Sequence, residues 1–99
     1  MSNVEIFLNL GHTAFTENPE GYRVSVLEYQ SSMEADEAAE EAYIFTNFPG
    51  FLLLNERLTN LRQQYYSRVK RSLCAGDIVV VDGESFLCLN DGWKKLQYD

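Results

Sequence analysis

Residues 71–96 read RSLCAGDIVVVDGESFLCLNDGWKKL, and this stretch decides the fold. Ile78–Val81 is a β-branched apolar run, Asp82-Gly83 supplies a turn, and residues 86–89 form the return strand. An Asp-Gly pair between apolar runs marks a type I′ hairpin, because both central residues of that turn need positive φ. A two-residue turn sets Val81 against Glu84, Val79 against Phe86 and Asp77 against Cys88 on one face. On the other face it sets Val80 against Ser85 and Ile78 against Leu87. Both faces carry large apolar groups, so the hairpin needs cover on both sides or offers one side as a binding surface.

The rest of the chain supplies something for the hairpin to pack on. In residues 4–10, Val4, Ile6, Leu8 and Leu10 alternate with Glu5, Phe7 and Asn9, the period-2 signature of a strand. Residues 11–22, with Asn18, Pro19 and Gly21, read as a long loop. Residues 23–29 form a second strand, Val24 and Val26 on one face, Leu27 and Tyr29 on the other. A helix is expected over residues 32–48, opened by a Ser31/Glu34 capping box and stopped by Pro49-Gly50. Its buried stripe is Ala35, Ala38, Ala39, Ala42 and Phe45. Residues 51–54 read as an apolar bridge that packs inward. A second helix follows over residues 55–70, capped by Asn55, with Leu58, Leu61, Tyr65 and Val69 on its core face. The order is β-β-α-α-β-β: an α+β domain with a small antiparallel sheet and two helices packed on one face.

Ninety-nine residues with 13 aromatic side chains make a single domain able to bury a core without staples. No run of residues is long and apolar enough for a membrane span, and the N-terminus shows no signal-peptide pattern, so a cytoplasmic protein is expected. The net charge of −7 is unevenly placed. Residues 1–50 hold nine acids and one base (−8), and residues 51–99 hold six acids and seven bases (+1). Phosphate repels such a chain at long range, so nucleic acid is a disfavoured partner and a basic protein a favoured one.

Several residues carry chemistry. Cys74 and Cys88 are expected as two thiols, because the hairpin register does not set them opposite each other. With His12 as the one imidazole they do not make a zinc site. No cofactor, metal or nucleophile–base pair is indicated, and His12 reads as a surface residue. Asp77 after Gly76 reads as a strand-entry acceptor of backbone hydrogen bonds. Glu34, Asp36, Glu37, Glu40 and Glu41 form an acidic strip, read either as a solvated face opposite the alanine stripe or as a phosphate-like surface for a basic partner, with positions 37, 40 and 41 on one helix face. Trp93 reads as the aromatic cap of a small core or as a partner anchor. Arg62, Arg68, Lys70 and Arg71 around Tyr66 are the elements of an alternative, a nucleic-acid-binding module built on the second helix and the hairpin.

Ser72, Leu73, Gly76, Asp77, Ile78, Val79, Cys88, Gly92 and Trp93 resemble a recurring element of small bacteriophage and mobile-element proteins grouped as YodL-like. There a Ser-Leu-Ser-Val-Gly-Asp segment leads into a valine-rich strand, a tight turn, a strand ending near Cys, and Gly with an aromatic. Cys74 and Ala75 replace the usual Ser and Val. The stretch 38–48, with Glu41, Ala42, Phe45, Thr46 and Asn47, looks like the helix that often precedes this element, and residues 1–30 have no counterpart. The resemblance implies a habitat rather than a reaction, and no catalytic residue carries over. The expected function is non-enzymatic: a small acidic phage-type protein that engages a host protein, in host takeover or in countering a defence system. A hairpin apolar on both faces also leads to the expectation of a two-fold homodimer.

Overall fold

The computed structural model describes residues 1–9, 23–49, 53 and 55–96. The elements are β1 (Ser2–Asn9), β2 (Arg23–Ser31), α1 (Ala35–Asn47), α2 (Glu56–Tyr66), β3 (Ile78–Val81), β4 (Glu84–Leu89) and β5 (Gly92–Leu96). All five strands form one antiparallel sheet in the order β2-β1-β3-β4-β5. The α+β reading holds, with one strand more than expected. The expected loop at residues 11–22, His12, and all of the 51–54 bridge but Leu53 lie outside the described residues; Leu53 is buried.

The hairpin has the register its turn dictates: Val81 pairs with Glu84, Val79 with Phe86, Val80 with Ser85 and Ile78 with Leu87. Asp82 and Gly83 both take positive φ, 50° and 84°. The Asp82 carboxylate accepts the Asn3 N–H at 2.8 Å and the Asp82 N–H donates to the Asn3 carbonyl at 2.9 Å, which ties the turn to the start of β1. This hydrogen bond, then one with Ser2, holds the Asp82 carboxyl below its ordinary pKa. β5 is the additional strand, and it escapes a reading by pattern because Trp93-Lys94-Lys95-Leu96 breaks the apolar alternation. An edge strand needs only its inner side paired, and adjacent lysines protect its outer side from further pairing.

β1 lies between β2 and β3, and its alternation puts Val4, Ile6 and Leu8 under the helices. The expected split of β2 into two faces is corrected by a bulge. Ile6 pairs with Leu27 and Phe7 with Ser25, so Val26 is the extra residue, and both Val26 and Leu27 are buried. α1 lies over β1, β3 and β4, while α2 packs on α1 and β2. Ala38, Ala39 and Ala42 are fully buried, and their small size lets the backbone of α1 approach the sheet around Phe45. On the opposite face Ile78 and Leu87 are also buried.

Local signals in the sequence mark both helix starts, and the structure differs from them at one. Asn55 caps α2 as expected, accepting from the N–H groups of Arg57 and Leu58. The Ser31/Glu34 capping box does not form. Glu34 is the N-cap without a side-chain cap bond, Ser31 Oγ donates to Glu41 at 3.0 Å, and α1 starts at Ala35 with φ 51°. α2 ends at Tyr66, four residues short of expectation, and Val69 packs on the core from the following turn.

Candidate functional site

α1 covers the sheet as far as β4, and β5 runs on beyond it. The register of β4 and β5 sets Cys88 against Trp93 and Phe86 against Lys95, so Trp93 and Lys95 face the helix side of the sheet. The result is an open groove of about 640 Å³ between α1 and the β4–β5 hairpin. Its walls are Asp36, Glu37 and Glu40 of α1, Glu84 and Phe86 of β4, and Trp93 and Lys95 of β5. Trp93 is half-buried against the core, and its indole N–H donates to Glu40 Oε2 at 2.9 Å. The indole separates this groove from a second hollow of about 260 Å³ lined by Tyr43, Leu89 and the 90–92 turn. Lys95 Nζ lies 3.4 Å from Glu84, with both side chains about half exposed. Four carboxylates and one ammonium thus give the groove a formal charge of −3 around an aromatic floor.

The structure divides the expected acidic strip. Asp36, Glu37 and Glu40 are brought to Trp93, with Glu84 and Lys95 joining them unforeseen. Glu34 lines a neighbouring hollow with Val81, Asp82 and Glu84. Glu41 is a correction: it is buried, accepts from Ser31 and pairs with Arg57 at 3.1 Å, and Arg57 also donates to the Gln30 carbonyl at 2.6 Å. It ties β2, α1 and α2 together and is not available to a partner. Helical spacing put positions 37 and 41 on one face, but α2 docks over the Glu41 end of it. The signal for Glu84 and Lys95 was the Asn90-Asp91-Gly92 turn. Continued as a hairpin, it sets Lys95 across from Phe86.

The basic residues are mostly committed within the fold. Arg62 donates to the Phe45 carbonyl at 3.0 Å and sits 4.7 Å from the centre of the Tyr66 ring, and the Tyr66 hydroxyl donates to the Thr46 carbonyl. Arg68 donates to the Val26 carbonyl at 2.9 Å; Lys70 is exposed. Arg71 grips Asp77 through two bonds of 2.7 and 2.9 Å and donates to the Asn9 carbonyl. Arg62, Arg68 and Arg71 are thus each engaged by a carbonyl or carboxylate of the fold itself.

Asp77 is fully buried and acts as the strand-entry acceptor its position implied. Besides Arg71 it accepts from the Asn9 N–H at 2.8 Å and the Cys74 N–H at 2.9 Å. Its hydrogen bond holds the Arg71 guanidinium above its ordinary pKa. Arg71 Nη1 also lies 3.1 Å from Cys74 Sγ, and the Tyr65 hydroxyl donates to the Arg71 carbonyl at 2.7 Å. Cys74 and Cys88 are not joined to each other by a disulfide. Among the described residues no cluster of His, Cys, Asp and Glu has the arrangement of a metal site, and no helix is long and apolar enough to cross a membrane. Comparisons of the chain with protein-family models, curated proteins and solved structures return no match.

Proposed function

We propose that this protein acts by binding, as a small accessory protein of a bacteriophage or mobile element that holds a basic host protein against the groove between α1 and the β4–β5 hairpin. The observation that carries this reading is the concentration of Asp36, Glu37, Glu40 and Glu84 around the half-buried indole of Trp93. Interface anchors are typically aromatic side chains in partly formed pockets, and a surrounding field of one sign steers and selects an oppositely charged partner. The habitat rests on the resemblance carried by Ser72, Leu73, Gly76, Asp77 and Trp93, and it places the action in the host cytoplasm, in host takeover or in countering a defence system.

The test is a pull-down from a nuclease-treated bacterial lysate with the wild type and an Asp36→Lys/Glu37→Lys variant. Both positions are exposed and make no salt bridge among the described residues, so the change leaves the core intact. A host protein retained by the wild type and lost by the variant supports the reading. Equal retention by both overturns the acidic groove as the contact.

A further inference from the structure

We propose that the groove is a receptor for an arginine side chain of the partner, and that Lys95 is a resident cation which this arginine displaces. The proposal rests on the protein-binding reading above and names what the groove recognises. Lys95 reaches back over the groove from the edge strand to Glu84, as a bound cation would, but the pair is long and half exposed, so water competes with it. Asp36 and Glu37 make no salt bridge among the described residues. Glu40 is fixed by the indole N–H, which sets a carboxylate at the rim of the tryptophan ring. A flat cation lying on the indole could donate to that carboxylate in the same pose.

The chemistry selects guanidinium over its competitors. A metal ion needs several carboxylates converging on one point, and no group of three does so among the described residues. A lysine ammonium is a compact, strongly hydrated charge, and Lys95 already supplies one. A guanidinium is planar and less hydrated, stacks on an indole face, and presents a fork of donors that two carboxylate oxygens accept together. The groove offers both halves of that recognition: Trp93 as the platform, with Glu37 and Glu40 beside it.

Trp93 is the single tryptophan, so its indole N–H gives one signal in a proton–nitrogen correlation spectrum of the labelled protein. The probe is the capped tripeptide acetyl-Gly-Arg-Gly-amide, with its lysine and citrulline counterparts. The arginine peptide should move the Trp93 signal to saturation, the lysine peptide should bind more weakly, and the citrulline peptide should leave the signal in place. Lys95→Met and Lys95→Gln should each bind the arginine peptide roughly threefold more tightly, the equivalent of one exposed ion pair no longer to be broken. Both variants alter an exposed side chain, and the dispersion of the same spectrum reports their fold. An unmoved Trp93 signal, or equal response to citrulline, overturns the arginine assignment; unchanged affinity in both Lys95 variants overturns the displacement. If the peptide fails while Asp36→Lys/Glu37→Lys still abolishes capture of a host protein, the binding reading stands without arginine as its determinant. If capture is also indifferent, both fall.

Discussion

Asp77 gathers segments that are far apart in the chain: Asn9 at the end of β1, Arg71 after α2 and Cys74 on the approach to β3. Replacing it with Asn leaves Arg71 facing a neutral group and removes an acceptor from backbone donors that have no water to turn to. The expected loss is about 3 kcal/mol, within the range for breaking a buried ion pair from one side. That loss would lower Tm by roughly 12–24 °C in a domain of this size. A drop of a few degrees would show that the Arg71 grip is not the main tie.

Tyr29 has the reverse character. Its ring packs edge-on against Phe45 at 5.6 Å, but its buried hydroxyl has no hydrogen-bond partner among the described residues. Tyr29→Phe should therefore leave stability unchanged or raise it by up to about 1 kcal/mol, read from the urea midpoint. Burial, and then the nearby Glu41 charge, push the Tyr29 pKa far above 10.0; burial and then Asp77 do the same for Tyr65. A raised pKa means that the folded state holds the proton more tightly than the unfolded state. The stabilisation is complete below pH 10.0 and declines above it, as the unfolded chain ionises first. Thermal scans across that range should show Tm falling, and falling less steeply in Tyr29→Phe.

At the scale of elements, the β3–β4 hairpin was legible to the residue because its turn chemistry and side-chain alternation are local. Gly83 has φ 84° with nothing within 4 Å of an added Cβ, so Gly83→Ala should cost only the backbone strain, about 1–2 kcal/mol, measurable by denaturation. The alanine stripe of α1 was equally legible. Ala42 is fully buried, so Ala42→Leu should overpack the helix–sheet layer and destabilise by about 1–3 kcal/mol. What failed depended on partners distant in sequence. Ser31 and Glu34 satisfy the capping-box pattern, but the Ser31 hydroxyl is taken by Glu41, ten residues on. Glu41 reads as solvated until α2 brings Arg57 to it. Of the candidate site, Asp36, Glu37, Glu40 and Trp93 were legible. Lys95 and Glu84 were not, because the groove exists only once β5 is paired outside the cover of α1.

For the molecule as a whole, the net charge of −7 opposes compaction, and its acids crowd into residues 1–50. Salt screens that repulsion within a Debye length of about 10 Å at 0.1 M. Raising salt from about 0.01 to 0.1 M should therefore stabilise the fold by about 0.5 kcal/mol, a rise of roughly 2–4 °C in Tm. The same salt should weaken capture of a basic partner. Opposite responses of stability and binding to one titration would separate the general field from the groove.

The place of β1 between β2 and β3 has a consequence for how the protein is made. Asn9 leaves the ribosome 72 residues ahead of Val81, so at about 5–20 residues per second the inner partner of β1 follows roughly 4–14 s later. Through that interval the β1–β2 pair has one edge open, with Val4, Ile6 and Leu8 lacking the β3 side of their cover. That edge closes only once β3 has been synthesised. In the interval between the synthesis of β2 and that of β3, the nascent chain is therefore most exposed to wrong strand partners along that edge.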